Sequence, residues 1–332
     1  MATATAKASH RTAATRSTAK FLTLSFSGGG HLLSYHLGVA GSLYSAAGTT
    51  KKIPPIKAVA GSSSGAIAAT VLCHLPHRID EYADIFMKER GNAIQHLTNF
   101  LYQEEISNSS TTPSSLPIQK QVIQHANNKR PPSARLYICT TKTLDGSAQI
   151  FGFEPKYSNF SSISTSWKTD EILKCVKASC TIPSTFHPWD LVSKGELSYL
   201  DSDGILLKND GNDDPSAYGN YGNSNINESY YVDGGISQPA PPTPLDSEEG
   251  FCPITISPIS GPGKYRISPV DRSLGSSWKL TCRGDFQVRP SFQNLKALQV
   301  ASGMAATTEE LKSWYQRGVE DAEKFVQDWN KN

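Results

Sequence analysis

Short apolar runs alternate with helix-compatible segments along the first part of the chain. The run Phe21–Phe26 leads into Gly28-Gly29-Gly30, and the spacing from residue 31 to about residue 47 predicts a helix. The same order recurs where residues 56–60 lead into a turn of glycine and serine and then into residues 66–73. Repeated strand, turn and helix units indicate a mainly parallel sheet covered by helices, so we expect an α/β fold.

The later part of the chain predicts more of the same sheet and a closing helix. Residues 136–141 and 148–153 form two β-prone runs around Asp145-Gly146, which predicts a hairpin towards one edge of the sheet. Residues 230–232 and 254–256 are further strand candidates, and apolar residues recur at helical spacing from 309 to 329.

Other segments carry no core pattern. Residues 104–133 and 209–228 are too polar to bury much apolar area, so we expect two mobile insertions in a single domain that spans residues 21–330. The acidic runs at 201–204 and 209–214 lack the closing glutamate of a calcium loop, which favours solvated loops.

Composition narrows the function classes. The chain has 332 residues, 38% of them hydrophobic, with a net charge of only +2, and its basic residues are spread out. A nucleic-acid binder would concentrate them, so we expect no DNA or RNA partner. Six cysteines without Cys-x-x-Cys spacing predict free thiols, a reducing compartment and no zinc site.

Membrane contact and targeting follow from two further patterns. No apolar run reaches the ~18 to 20 residues of a membrane-spanning helix, so any membrane contact is expected at a surface. Residues 1–20 are rich in Ala, Thr and Ser, carry four basic side chains and hold no acid. This composition is typical of a plastid or mitochondrial transit peptide or of a disordered tail, and the lack of an apolar core argues against secretion.

The turn Gly61-Ser62-Ser63-Ser64-Gly65 carries the most chemical information. It follows a β-prone run and precedes a small-residue helix, which is the order of a nucleophile elbow. Gly61 and Gly65 provide the space that a sharp turn needs, so Ser63 is the candidate nucleophile. Taken alone, the same pattern also suits an ordinary surface loop.

A serine nucleophile needs donors for the oxyanion that it creates. Gly28-Gly29-Gly30 follows a strand and opens a helix, where backbone N–H groups and the helix dipole favour an anion. The competing interpretation is a nucleotide phosphate loop. Its Gly-x-x-x-x-Gly-Lys pattern is missing, and Leu33 occupies the last glycine position of a dinucleotide fingerprint.

The serine also needs a base, and two candidates remain open. His187 is the last histidine of the chain and would have to pair with an earlier acid, such as Asp145 or Asp170, in a catalytic triad. Asp233 follows a predicted strand and precedes Gly234-Gly235, which places a carboxylate at a strand end. Asp-Gly-Gly by itself is also an ordinary turn.

Together, the three motifs at residues 28–30, 61–65 and 233–235 resemble the patatin-like phospholipase family. Similarity to the adiponutrin and adipose triglyceride lipase branch extends from about residue 21 to about residue 325 and includes residues 27–39, 175–183, 256–261, 267–269 and 315–322. The resemblance implies a three-layer α/β/α fold and a Ser-Asp dyad without histidine. The loop at residues 236–241 departs from the family pattern, since the usual Asp-Asn pair before proline is absent, and residues 209–228 look inserted.

The resemblance also implies a role for each motif residue. Ser63 would be the nucleophile and Asp233 the base, and the oxyanion would be held by the amides of Gly28, Gly29, Gly30 and Ser64. The implied activity is hydrolysis of fatty-acyl esters of a glycerolipid, such as triacylglycerol or phospholipid, at a membrane or lipid-droplet surface, without metal or cofactor. Two alternatives stay open: acyl transfer on the same dyad, and a catalytically silent module that binds lipid surfaces or proteins.

Overall fold

The computed structural model describes most of the predicted domain. The described residues are 18–48, 50–109, 134–143, 145–153, 169–182, 205–206, 230–263, 265–270, 280–281 and 286–331. The tail at residues 1–17, the polar segment at 209–228 and His187 lie outside them.

A mostly parallel sheet forms the centre of the molecule. Its strands run in the order β5-β6-β3-β2-β1-β7-β8, and β4 pairs with β3 outside this path. The pairs β3-β2, β2-β1, β1-β7 and β7-β8 are parallel, whereas β4 and β6 run antiparallel to β3 and β5 antiparallel to β6. The strands are β1 Phe21–Phe26, β2 Ile56–Ser62, β3 Arg135–Lys142, β4 Ala148–Phe153, β5 Ile205–Leu206, β6 Tyr230–Asp233, β7 Phe251–Ile256 and β8 Arg266–Ile267. A separate antiparallel pair joins β9 Leu280–Thr281 to β10 Gln287–Val288.

Helices flank this sheet and complete the fold. They are α1 Leu33–Gly48, α2 Ser64–His74, α3 Ile79–Glu89, α4 Ala93–Ser109, α5 Thr169–Ser179, α6 Phe292–Ala301 and α7 Thr308–Asn330. The predicted α/β class with a mainly parallel sheet is confirmed, as are the hairpin of β3 and β4 and the C-terminal helix. The predicted start of the first insertion, residue 104, was wrong, because residues 104–109 belong to helix α4. The buried residues Leu97, Phe100 and Leu101 anchor this helix, and residues 104–109 continue it.

The core lies on both faces of the sheet. Alternate residues of β1, Leu22, Leu24 and Phe26, are fully buried in the larger cluster, where α1 and α2 also pack. On the opposite face Ala58, Ala60, Tyr137 and Leu245 form a smaller cluster. Strands buried on both faces read as nearly continuous apolar runs, which explains why the sequence pattern predicted them well.

Candidate active site

Ser63 stands on the sharp turn between β2 and α2. Its backbone angles, φ 53° and ψ −130°, lie in a region that non-glycine residues seldom adopt, at a cost of about 1 to 3 kcal/mol. A Cβ atom on Gly61 would meet the carbonyl oxygen of Gly65 at 2.2 Å, and one on Gly65 would meet that of Phe26 at 2.4 Å. The two glycines therefore permit the close backbone approach of the predicted elbow.

The register of β3 brings Asp233 to the same place. Ser62, the last residue of β2, pairs with Cys139, and Asp233, the last residue of β6, pairs with Thr140. Strand β4 pairs along the other edge of β3. Strand β6 therefore pairs with β3 on the same edge as β2, beyond the last residue of β2, and the ends of β2 and β6 face each other. Ser63, which follows Ser62, and Asp233, which ends β6, are therefore neighbours.

The side chain of Ser63 lies close enough to Asp233 to lower the pKa of its carboxyl group. The carboxylate is 6% exposed, and its Oδ1 accepts a hydrogen bond of 2.7 Å from the amide of Gly235. Burial raises the pKa of Asp233 from its ordinary 3.8 to about 6, and the Ser63 side chain and the Gly235 amide partly oppose that rise. A carboxylate with this pKa is a stronger base than an ordinary aspartate.

The glycine turn after β1 lies directly against Ser63. A Cβ atom on Gly28 would stand 3.4 Å from the Cβ of Ser63. Gly29 precedes the short 3₁₀ turn Gly30–Leu32, and Ser64 opens α2, so Gly30 and Ser64 carry N–H groups at helix starts, which have no acceptor within their own helix. These amides and that of Gly29 are the candidate oxyanion donors.

Gly28 does not fit the donor role that the sequence predicted for it. Its N–H donates to the carbonyl oxygen of Pro239 at 3.0 Å. The same carbonyl accepts a hydrogen bond of 2.7 Å from Ser62 Oγ. Pro239 lies in the loop at 236–241, which departs from the family pattern, and its carbonyl ties the glycine turn, the elbow and the loop after Asp233 together.

The backbone of Asp233 is held by further hydrogen bonds, which sequence reasoning missed. Thr141 Oγ1 donates to the carbonyl oxygen of Asp233 at 2.7 Å. Thr141 Oγ1 also lies 2.8 Å from Ser237 Oγ and accepts a hydrogen bond of 3.2 Å from the Ser237 amide. These buried hydroxyls fix the turn that begins with Gly234, and no local motif could have shown a contact across 92 residues.

The acids of the rival triad lie elsewhere. Asp145 is exposed in the β3-β4 turn, where its Oδ1 accepts a hydrogen bond of 2.9 Å from the Ser147 amide. Asp170 is exposed at the start of α5 and is hydrogen-bonded by Tyr102. Within the described residues, no histidine is hydrogen-bonded to Ser63.

Two nearby histidines and one serine have packing roles. His36 is fully buried with its ring edge against Phe26, and burial lowers its pKa to about 3, so the imidazole is neutral. His31 lies 3.4 Å from the carbonyl oxygen of Ala301. The Ser64 side chain does not cap α2, because Ser63 is the N-cap and the Ser64 hydroxyl is buried without a partner among the described residues.

Two cysteines near Asp233 are poor alternatives to Ser63 as the candidate nucleophile. Burial and the nearby charge of Asp233 raise the pKa of Cys139 to about 12 and that of Cys180 well above its usual range. Five cysteines, at positions 73, 139, 175, 180 and 252, are free thiols, and Cys282 lies outside the described residues. In the described part of the chain, no group of three or more His, Cys, Asp or Glu is arranged to hold a metal, and no helix is long and apolar enough to cross a bilayer.

Comparison with known proteins matches this architecture to one family. The family model described as patatin-like phospholipase matches residues 24–246, about two thirds of the chain. The chain belongs to the patatin-like phospholipase family. The matched span of this patatin-like phospholipase contains the glycine turn, the elbow and Asp233, whereas helices α6 and α7 lie beyond it.

A human relative matches almost the whole chain. Patatin-like phospholipase domain-containing protein 4 of Homo sapiens is 24% identical over 315 residues, which cover 92% of this chain and 97% of the relative. Among solved structures, VipD from Legionella pneumophila has a TM-score of 0.37 at 12% identity, covering 95% of this chain and 68% of its own. ExoU in the ExoU-SpcU complex of Pseudomonas aeruginosa has a TM-score of 0.34 at 12% identity, covering 93% and 52%.

Proposed function

We propose that this patatin-like phospholipase is a serine lipid acyl hydrolase that uses Ser63 and Asp233 as a catalytic dyad. The observation that carries the proposal is the strand register, which ends β2 and β6 against each other and brings Ser63, on its strained elbow, beside the buried Asp233. Family membership supports a lipid ester as substrate. The acids of the alternative triad, Asp145 and Asp170, are both engaged at exposed positions away from the elbow.

The dyad accounts for both half-reactions. Asp233 accepts the hydroxyl proton as Ser63 Oγ attacks the ester carbonyl, and it then gives that proton to the leaving alcohol as the carbon–oxygen bond breaks. The acyl group is left on Ser63. Asp233 next accepts a proton from water, the hydroxide attacks the acyl-enzyme, and the released Ser63 oxygen takes the proton back.

The tetrahedral oxyanion is stabilised by backbone amides. Gly29, Gly30 and Ser64 supply them in this mechanism, because the amide of Gly28 is engaged with Pro239. The amide of Ser63 itself is engaged with Ser179 Oγ at 2.8 Å. Donors fixed in advance at two helix starts need little reorganisation when the negative charge develops.

The pH dependence of the reaction follows from the buried base. Only ionised Asp233 accepts the serine proton, and its pKa is raised to about 6. We therefore expect kcat/KM on a soluble nitrophenyl ester to fall about tenfold per pH unit below pH 6 and to level off above pH 7. A profile that is flat from pH 5 to pH 7 would argue against Asp233 as the base.

Helix α6 supports contact with a lipid surface. Its side chains Phe292, Leu295 and Leu298 are 87%, 53% and 53% exposed and recur every third residue. The last residue of this helix packs against the oxyanion turn, since a Cβ on Gly30 would meet the carbonyl oxygen of Ala301 at 2.2 Å. We infer that this apolar face rests on the membrane or droplet surface that presents the substrate.

The cellular location follows from the same proposal and from the cysteines. Free thiols at five described positions favour an intracellular, reducing compartment. We propose that the enzyme works there as a peripheral protein on a lipid surface. Targeting to a plastid or mitochondrion by residues 1–20 stays a prediction from composition.

Fatty-acid release from defined lipids tests the function. Purified protein is incubated with triacylglycerol emulsion and with phospholipid and galactolipid vesicles, and free fatty acid and sedimentation with the lipid are measured together. We expect sedimentation with the lipid and release of fatty acid from at least one class. Sedimentation without release would favour the silent binding module. A new ester formed when a second alcohol is supplied would favour acyl transfer.

A further inference from the structure

We propose that the turn ending helix α5, residues 179–181, is a brace that sets the position of the nucleophile relative to the base, with Ser179 as a positioning residue. The inference rests on the proposed Ser63-Asp233 dyad. Ser179 is the last residue of helix α5 and does not itself lie on an elbow. The structure places it directly behind one.

Ser179 holds the backbone of the nucleophile. Its Oγ accepts a hydrogen bond of 2.8 Å from the Ser63 amide and donates one of 2.6 Å to the carbonyl oxygen of Cys139. The direction is fixed, because an amide can only donate, so the single hydroxyl hydrogen of Ser179 goes to the carbonyl. Ser179 is fully buried, so water does not compete for these bonds.

The same turn holds the backbone of the base. The carbonyl oxygen of Thr181 accepts a hydrogen bond of 2.8 Å from the Asp233 amide. The amide of Thr181 in turn donates to Ala178 in the last turn of α5 at 3.1 Å. Ser63 and Asp233, which are 170 positions apart in the sequence, are therefore both attached to a segment of three residues.

The strained conformation of Ser63 explains why such a brace matters. A non-glycine residue with φ 53° persists only where its surroundings hold it there. Without the Ser179 hydroxyl, the Ser63 amide and the Cys139 carbonyl oxygen lose this partner in a buried site, and the elbow is free to relax. A shift of about 1 Å in a reacting atom typically costs about 100-fold in rate.

The test is the variant Ser179→Ala, measured beside wild type on a soluble nitrophenyl ester. We expect kcat to fall about 10- to 100-fold while KM changes less than about twofold, because the substrate pocket is unchanged and only the reacting atoms move. Ser34→Ala is the matched control. Ser34 is also fully buried, and its Oγ has no partner among the described residues, so this variant should keep the wild-type kcat.

A pH profile separates positioning from general destabilisation. The Ser63 side chain lowers the pKa of Asp233, so moving Ser63 away in Ser179→Ala should shift the acidic limb of kcat/KM to higher pH. Among the described residues, the titratable side chains that interact electrostatically with Asp233 are Cys139 on β3 and Cys180 after α5. Both thiols stay neutral through this range, so the shift would report on the dyad. A lower fraction of folded protein would scale the profile without moving it.

The outcomes decide the proposal and separate it from the proposed function. An unchanged kcat or an unmoved acidic limb in folded Ser179→Ala overturns the brace. If that variant does not fold, Ser179→Cys keeps a similar shape with a weaker hydrogen-bonding group, and an unchanged kcat there overturns it equally. If Ser63→Ala and Asp233→Asn keep full activity, the dyad itself is wrong. If activity is lost in Ser63→Ala and Asp233→Asn but kept in Ser179→Ala, the brace is refuted and the dyad is not.

Discussion

Ester hydrolysis is expected to fall on the order of 10⁴-fold or more when Ser63 is replaced by alanine. The hydroxyl is the only group at the tip of the elbow that forms the acyl-enzyme in the proposed mechanism. Ser64 does not replace it, because its side chain is buried at the first position of α2. The measurements are kcat on a soluble ester and covalent labelling by a serine-directed fluorophosphonate.

The labelling experiment has a clear control. Ser25→Ala removes another buried hydroxyl that makes no hydrogen bond to the described residues, and it should label like wild type. Wild-type protein should carry the phosphonate on the peptide that contains Ser63. Undiminished hydrolysis or labelling in Ser63→Ala would show that another residue is the nucleophile.

Replacement of Asp233 by asparagine should also abolish most activity and should at the same time stabilise the fold. Asparagine is not a base, so a loss of kcat on the order of 10⁴-fold is expected, and adding Ser63→Ala should cost little more because the two side chains act as a unit. The side-chain oxygen of asparagine still accepts the hydrogen bond from the Gly235 amide, which keeps the turn in place. Steady-state kinetics of the single and double variants measure both effects.

The stability effect has a defined sign. Folded Asp233 has a pKa of about 6 and an ordinary aspartate one of 3.8, so between these values the folded protein holds a proton that the unfolded chain has released. The free energy of unfolding therefore falls as pH rises through that window, by up to about 3 kcal/mol. Asparagine does not ionise, so the variant avoids this loss of stability. In chemical denaturation at pH 8 it should be more stable than wild type. If Asp233→Asn keeps its activity and His187→Ala loses it, the catalytic triad with His187 would be favoured instead.

Sequence predicted those parts of the site that depend on local spacing. Gly61 and Gly65 surround Ser63 at the distances that an elbow requires, and the apolar runs around this turn gave β2 and α2 nearly to the residue. Asp233 was placed at a strand end because the β-prone run at 230–232 precedes it, and the three motifs together suggested its role. These signals are carried by a few consecutive residues, so they are visible without the fold.

The remaining features depend on contacts between distant segments. Nothing near Gly28 in the sequence shows that its amide is engaged with Pro239, 211 positions later. That β6 is antiparallel and ends against β2 depends on strand pairing, which local patterns do not determine. Ser179 belongs to an ordinary amphipathic helix end, and only its two long-range hydrogen bonds distinguish it.

The head-on junction of β2 and β6 has a consequence for biosynthesis. Until residues 230–233 have left the ribosome, the part of the β3 edge that later pairs with β6 has no neighbour. An open strand edge invites pairing with other chains. In the proposed mechanism, Ser63 has no base until Asp233 has emerged and β6 has paired with β3. The onset of hydrolysis would then be coupled to the pairing of these two strands.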